Sequence, residues 1–193
     1  MREVKNGLIL SEEEKRRRRQ RSLALALVLG ALVLLFYAIT IVKQGAALNA
    51  LCEATSLVSL GRGPTLAIAR EAALKLKETS NLHAEAFSGA EFVHGPIALV
   101  ESSYPALLFL PTDHAAVGLR ALAADLRRKN ASVFMTDHGE QQAGTLPALA
   151  PDHPDTDAVC LIQSFYALAI RVAQCRGINV DLPRHLQKVT RTR

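Results

Sequence analysis

Residues 56–80 read SLVSLGRGPTLAIAREAALKLKETS, and this stretch decides the fold. Its opening residues, Ser56 to Leu60, form an apolar run typical of a buried strand, and Gly61-Arg62-Gly63 ends that run in a glycine turn. Pro64 then suits the first turn of a helix that we expect to reach about Ser80. A strand, a glycine turn and a helix in this order indicate an α/β fold.

The same pattern continues along the chain. Apolar runs at 106–110, 132–136 and 146–149 predict further strands, and helices are expected at about 115–129 and 155–176. Strands that alternate with helices need right-handed crossovers, so we predict a parallel sheet flanked by helices, flavodoxin-like or Rossmann-like. In such sheets ligands bind at the carboxyl ends of the strands, and Gly61-Arg62-Gly63 lies at one of them.

The net charge of +5 belongs to the N-terminal segment. Residues 1–43 hold nine of the Lys and Arg residues and four of the Asp and Glu residues, which leaves fourteen of each sign in the other 150 residues. A domain that binds nucleic acid carries its positive charge on its own folded surface. We therefore expect no nucleic-acid partner.

The N-terminal segment has the pattern of a single membrane span. A basic block at 15–21 precedes residues 22–42, which carry no charged side chain. At ~1.5 Å per residue, a helix over 22–42 is roughly 30 Å long and can cross a bilayer. A secretory signal peptide, the alternative, usually has an apolar core of only ~7–15 residues. We predict a basic cytoplasmic segment at 1–21 and a transmembrane helix at 22–42, in a bacterial inner membrane.

The cysteines and histidines predict no metal and no cofactor. Cys52, Cys160 and Cys175 are odd in number and show no C-x-x-C spacing. A free cysteine in an apolar helix behaves as a small hydrophobe, so we expect reduced thiols. The histidines show no H-E-x-x-H spacing, and His83-Ala84-Glu85 alone is too little for a ligand set.

The region from 70 to 100 concentrates the groups that are able to move protons. Glu71, Lys75 and Glu78 are spaced i, i+4, i+7 and share one face of the predicted helix. By itself this spacing is typical of a solvated salt-bridge ladder. His94-Gly95-Pro96 alone is typical of a turn, and a lone G-x-G is more often a tight turn than a phosphate cradle.

Three motifs in order carry a family resemblance. They are GRGPTLAIAREAALKLKE at 61–78, HAEAFSGAEFVHGP at 83–96 and DLPRHLQKVT at 181–190. Residues 56–193 resemble the second sugar-isomerase (SIS) domain of glucosamine-6-phosphate synthases and of the related SIS-type glucosamine-6-phosphate deaminases, and look closer to the deaminase branch. The resemblance implies a single SIS domain at 56–193 after a linker or helix at 43–55.

The resemblance also implies roles for individual residues. Glu78 takes the position of the carboxylate that moves a proton between C1 and C2 of the sugar. His94 takes that of the histidine that opens the sugar ring, which in the family acts across a subunit interface. Lys188 takes that of the lysine that contacts the open-chain carbonyl. Further residues expected to bind substrate or to support these three are Gly61, Arg62, Gly63, Glu71 and Lys75.

The site is expected to be incomplete in this chain. The family's enzymes carry two SIS domains, and the first holds the sugar phosphate in a Ser/Thr-rich loop. No S-G-x-S/T motif occurs in this sequence. We therefore expect half of an amino-sugar phosphate isomerase or deaminase site. Its partners would be a sugar phosphate, and either a second copy in a homodimer or a first SIS domain.

Two alternatives and one conflict stay open. The chain would otherwise be a non-catalytic phosphosugar-binding module, or a membrane-anchored interaction or assembly protein with a passenger SIS domain. The N-terminal LILSEEEKRRRR and VLLFYAITIVK segments resemble short single-span proteins encoded beside cytochrome c oxidase assembly factors. The charge rule places the SIS part outside the cytoplasm, whereas the family's sugar phosphates are cytoplasmic.

Overall fold

The computed structural model describes residues 12–43, 45–137 and 144–185, and within the first range it describes the side chains of residues 15–31. The chain divides into two compact units, Met1–Val42 and Lys43–Arg193. The first contains a long helix, α1 (Glu12–Lys43), and the second contains the α/β domain.

The membrane span predicted over 22–42 stays a prediction. Residues 32–42 of that span lie outside the described side chains. Among the described residues, one helix is long and apolar enough to cross a bilayer, Pro154–Cys175, and 44% of its most apolar window is buried. That helix packs in the core of the α/β domain, which accounts for its apolar composition.

The α/β domain begins with α2 (Gly45–Glu53) and then alternates strands with helices. The strands are β1 (Ser56–Gly61), β2 (His83–Ser88), β3 (Pro105–Phe109), β4 (Ser132–Thr136) and β5 (Thr145–Leu146). The other helices are α3 (Pro64–Ser80), α4 (Gly89–Phe92), a 3-10 turn (Pro96–Leu99), α5 (Ala116–Arg128) and α6 (Pro154–Cys175).

In the described part of the chain the sheet has five strands, in the order β2-β1-β3-β4-β5. All neighbours are parallel; along β1 and β2, for example, Ser56 pairs with His83 and Gly61 with Ser88. The central strands β1 and β3 are almost wholly buried because helices cover both faces of the sheet. The strand order reverses between β1 and β3, which opens a crevice at their carboxyl ends.

Each face of the sheet has its own layer of helices. On one face, α2, α3 and α6 bury a cluster that includes Leu57 and Leu76. On the other face, α4 and α5 bury a cluster that includes Val58 and Phe92. Neighbouring residues of β1 enter opposite clusters because side chains alternate along a strand. The predicted α/β fold with a parallel sheet flanked by helices is confirmed.

Strand β2 was not predicted. Its sequence, HAEAFS, alternates exposed and buried side chains at its start, with His83 and Glu85 exposed and Ala84 buried. It pairs with β1 on one side and lies at the end of the described strand order. A strand in this position needs no continuous apolar run, which is the signal that identified the central strands.

The prediction of three reduced thiols is wrong for two of the cysteines. Cys52 near the end of α2 and Cys175 at the end of α6 form a disulfide, with Cα atoms 6.0 Å apart. The two residues are 123 positions apart in sequence, so local cysteine spacing gives no sign of their pairing. Cys160 is the free cysteine.

Candidate functional site

A ladder of charged side chains occupies one face of α3. Lys75 Nζ donates a hydrogen bond to Glu78 Oε2 at 2.8 Å and lies 3.7 Å from Glu71 Oε1. About one third of each side chain is exposed, because the buried residues of α3 face the core on the opposite side. The hydrogen bond to Glu78 and the two negative charges raise the pKa of Lys75, against a smaller opposing effect of burial.

Tyr166 on α6 extends this ladder. Its phenol donates a hydrogen bond to Glu71 Oε1 at 3.1 Å. Burial, followed by the hydrogen bond to Glu71, raises the pKa of Tyr166, so the phenol stays a neutral donor. Tyr166 is not predicted as a site residue from the sequence, since it lies 95 positions from Glu71. The available signal was a phenol within an apolar helix, since a partly buried tyrosine needs a polar partner.

The turn between β1 and α3 is built by close packing against the first turn of the helix. A Cβ atom at Gly61 would clash with the main-chain carbonyl of Thr65. The Arg62 amide donates to Thr65 Oγ1 at 3.0 Å, and Gly63 has a left-handed φ of 57°. This arrangement uses the Arg62 amide within the turn and leaves the Arg62 side chain exposed.

His94 follows α4, which a capping box fixes at the carboxyl end of β2. The Glu91 amide donates to Ser88 Oγ at 3.2 Å, and the Ser88 amide donates to Glu91 Oε2 at 2.9 Å. Phe92 is buried against the α5 face of the sheet, and the His94 side chain is exposed. The His94 amide donates to the Glu91 carbonyl at 3.1 Å.

A single copy does not bring Glu78 and His94 together. Glu78 lies fourteen residues after Pro64, where α3 leaves the carboxyl end of β1. At 1.5 Å per residue this is about 21 Å, which places Glu78 towards the amino edge of the sheet. His94 lies beyond the carboxyl end of β2, on the opposite face. Lys188 lies outside the described residues.

A groove of about 590 Å³ opens at the carboxyl edge of the sheet. Its lining includes Arg62, Val93 and His114, from the segments after β1, β2 and β3. Arg62 and His114 are groups able to bind an anion, and Asp125 is an acidic group of the same lining. Among the residues that the structure describes, no three His, Cys, Asp or Glu side chains converge on a metal site.

Family comparisons match both parts of the chain. The SIS domain family matches residues 50–168, which is more than half of the chain. The family described as uncharacterized protein 2 in cox locus matches residues 8–46. The resemblance to the SIS family and the N-terminal resemblance to a family of the cox locus are confirmed.

Curated relatives match more than two thirds of the chain. The glutamine–fructose-6-phosphate aminotransferase (isomerizing) of Caulobacter vibrioides is 34% identical over 142 residues, covering 70% of this chain and 23% of the relative. The enzyme of the same name from Chlorobaculum tepidum is 33% identical over 141 residues, with the same coverage. The chain thus spans less than a quarter of the length of these relatives.

Solved structures share the fold. A candidate phosphosugar isomerase from Silicibacter pomeroyi is 44% identical with a TM-score of 0.58, covering 64% of this chain and 38% of that chain. The C-terminal domain of glucosamine-fructose-6-phosphate aminotransferase from Francisella tularensis is 25% identical with a TM-score of 0.65, covering 89% and 48%. These matches lend no support to the alternatives of a non-catalytic binding module or an assembly protein.

Proposed function

The chain belongs to the SIS domain family, and from this premise we propose that it forms one half of an amino-sugar phosphate isomerase or deaminase site. The observation that carries the proposal is the α3 ladder, in which Lys75 holds the Glu78 carboxylate at 2.8 Å. Aldose–ketose chemistry needs a carboxylate that takes a proton from one carbon and returns it to the neighbouring carbon. Glu78 is the carboxylate at the family's position for that role.

In the proposed reaction Glu78 is the base and the other ladder residues position it. Glu78 removes a proton from C1 or C2 of the open-chain sugar, which leaves an enediol or enolamine, and then returns the proton to the adjacent carbon. Lys75 orients the carboxylate before the transfer through the 2.8 Å hydrogen bond. Glu71 accepts a hydrogen bond from Tyr166 and lies 3.7 Å from the Lys75 ammonium, so Lys75 is held between two carboxylates.

His94 would complete the site from a second subunit. Ring opening requires a proton to be moved at the ring oxygen, which an imidazole is suited to do near neutral pH. Since one copy holds Glu78 and His94 on opposite faces of the sheet, a homodimer or a pair with a first SIS domain would have to join them. We propose that Lys188 contacts the open-chain carbonyl, as its family position implies.

The substrate is proposed to be a sugar phosphate held mainly by the partner domain. Phosphate binding supplies much of the energy that positions the reacting carbons. Gly61, Arg62 and Gly63 lie at the carboxyl edge of the sheet, about 21 Å along α3 from Glu78, so they would contribute on the His94 side of the shared site. The exposed Arg62 guanidinium is their group that is able to bind an anion. A first SIS domain would supply the Ser/Thr-rich loop.

Isotope exchange tests this proposal at the proton-transfer step. The full chain is incubated in D₂O with fructose-6-phosphate or glucosamine-6-phosphate, alone and with the first SIS domain of the Caulobacter vibrioides relative. We expect deuterium at C1 or C2, and ammonia from the amino sugar, when the partner domain is present. Glu78→Gln should abolish both signals, whereas Lys77→Gln, an exposed change on the same helix, should keep them. Folded protein without either signal in both arrangements would overturn the proposal.

We also propose that residues 22–42 anchor the chain in the inner membrane with the N-terminus in the cytoplasm. The basic block at 15–21 and the run without charged side chains at 22–42 support this arrangement. Alkaline extraction of membranes should leave the full chain in the pellet and release a variant that lacks residues 1–44. If alkaline extraction releases the full chain as well as the shortened variant into the supernatant, residues 22–42 do not anchor the chain in the membrane.

A further inference from the structure

The C-terminal ends of three helices meet at Arg176. The guanidinium Nη1 donates to the carbonyls of Cys52 and Ala54, at 2.9 and 2.8 Å, and of Leu51, at 3.2 Å. Nε donates to the carbonyl of Ser80, the last residue of α3, at 2.8 Å. The last carbonyls of a helix have no partner within that helix and carry the negative end of its dipole, so a cation is favoured at this junction.

The Cys52–Cys175 disulfide closes the same junction covalently. Cys175 precedes Arg176 in sequence, and Cys52 supplies one of the carbonyls that Arg176 binds. Cys175 is an exposed residue and Cys52 is half-buried, so the disulfide lies at the surface of the domain on the Cys175 side. Cys160, on the same helix α6, takes no part.

We propose that the Cys52–Cys175 disulfide is a redox-sensitive clasp that fastens α2 onto the SIS domain, closed in an oxidising compartment and opened by a dithiol. We use the word clasp for this disulfide alone; the Arg176 hydrogen bonds lie at the same junction and are not broken by the dithiol. The proposal does not depend on the catalytic roles given above, because it concerns how α2 is held. It rests on the Cys52–Cys175 disulfide, which joins the ends of α2 and α6 and whose Cys175 residue is exposed.

The structure of α2 explains why this segment needs a clasp. It has nine residues, and a helix of that length is marginal on its own in water. Its described anchors in the core are Ala47 and Leu51, which are 1% and 0% exposed. Residues 45–53 also follow directly on the N-terminal unit in the chain. Opening the clasp should therefore loosen the segment through which the SIS domain continues from that unit, and leave the sheet intact.

The clasp bears on the compartment of the domain. Structural disulfides persist in oxidising compartments and are rare in the reducing cytoplasm. The basic block at 15–21 independently predicts that the chain after residue 42 lies outside the cytoplasm. Both features place the SIS domain on the oxidising side of the membrane.

Opening the clasp is a thiol–disulfide exchange. One thiolate of a dithiol attacks Cys175 Sγ, and Cys52 leaves as a thiolate that takes up a proton. The second thiolate of the reductant then closes its own disulfide and releases Cys175 as a thiol. The protein gains two electrons and two protons, and the dithiol loses them. Oxidation of the two thiols by a disulfide of suitable potential reverses the step.

Thiol counting and hydrogen exchange on the full chain test the clasp. Chain isolated from cells with alkylation of free thiols should show one alkylated cysteine, Cys160, and three after treatment with dithiothreitol. In the native protein, dithiothreitol should speed amide exchange in residues 45–53 by about tenfold or more, and should leave β1 and β3 unchanged. Three alkylated cysteines from the start, or exchange in 45–53 that reduction does not change, would overturn the proposal.

Matched variants separate the clasp from a general effect of the reductant. Cys175→Ala should show fast exchange in residues 45–53 without dithiothreitol and no further response to it. Cys160→Ala, which removes the free thiol of the same helix, should respond as the wild type does. If Cys175→Ala fails to fold, the wild-type comparison before and after reduction still decides. A Cys160→Ala variant that loses the response would count against the clasp.

Discussion

Glu78 and His94 lie on opposite faces of the parallel sheet. Glu78 is in the last turns of α3, which packs with α6 on one face, and His94 follows Phe92, which is buried with α5 on the other. The two residues that the family resemblance places in one site therefore belong to different surfaces of one copy. A site that uses both must be shared between subunits.

Mixed subunits test this shared site. Glu78→Gln and His94→Gln should each be inactive alone, because each removes one of the two groups from every site. If the chain is a homodimer, mixing the two variants should restore about a quarter of the wild-type rate, since half of the dimers are hybrids and each hybrid holds one intact site. The rate is measured by deuterium exchange at C1 of fructose-6-phosphate, with any required first SIS domain supplied. A mixture as inactive as its components contradicts sharing between copies.

The sequence predicted those parts of the fold whose signals are local. The start of α3 follows from Pro64 and its end was expected at about Ser80, and the structure has the same bounds. Strand β2 was missed because its side chains alternate instead of forming an apolar run. The fold class was predictable, since the alternation of strands and helices is a property of the chain order.

The contacts that join distant segments were not predictable from the sequence. Tyr166 reaches Glu71 across 95 positions, and Cys52 reaches Cys175 across 123. No spacing rule relates such residues, because their proximity arises from the packing of α6 against α2 and α3. The placement of Glu78 and His94 on opposite faces was not predictable either, because it depends on which side of the sheet α3 and α4 pack.

The charge of Lys75 should contribute to stability in a pH-dependent way. Its hydrogen bond to Glu78 raises its pKa on folding. A lysine whose pKa is raised stabilises the fold fully below its unfolded pKa, about 10.4, and loses that contribution as the pH rises through the folded value. The difference in urea midpoint between wild type and Lys75→Met should therefore be larger at about pH 8 than at about pH 11.5.

A neighbouring lysine provides the control for that measurement. Lys77→Met removes an exposed ammonium from the same helix. It therefore measures how far the loss of one positive charge alone changes the urea midpoint at each pH. The Lys77→Met change in urea midpoint is subtracted from the Lys75→Met change at each pH, and the remaining difference should fall as the pH rises. A Lys75→Met difference that stays constant up to about pH 11.5 contradicts the coupling of Lys75 to Glu78.

The ion pair between Arg120 of α5 and Asp137 after β4 should stabilise the fold more than the exposed pair between Arg128 and Asp125. Arg120 binds Asp137 through two hydrogen bonds, at 2.7 and 3.1 Å, and the Asp137 side chain is only 8% exposed. Arg120→Met removes one bidentate ion pair from a buried carboxylate, so we expect a loss of about 1–3 kcal/mol in the free energy of unfolding. Arg128→Met, in a pair whose side chains are 71% and 35% exposed, should cost about 0–1 kcal/mol. Urea unfolding of both variants measures the difference, and equal losses would contradict it.

Gly61 should be irreplaceable for a steric reason that does not apply to Gly118 of α5. A Cβ at this position clashes with the Thr65 carbonyl, which belongs to the main chain of α3 and has no freedom to move aside. Gly61→Ala should therefore destabilise the domain by about 2–4 kcal/mol. Gly118→Ala is the matched control, because a Cβ at that position in α5 meets no atom within 4 Å. That change should stabilise the helix by up to about 1 kcal/mol, since alanine loses less backbone freedom on folding than glycine. Thermal unfolding of the two variants should thus shift in opposite directions, and a neutral Gly61→Ala would show that the β1–α3 turn has room to relax.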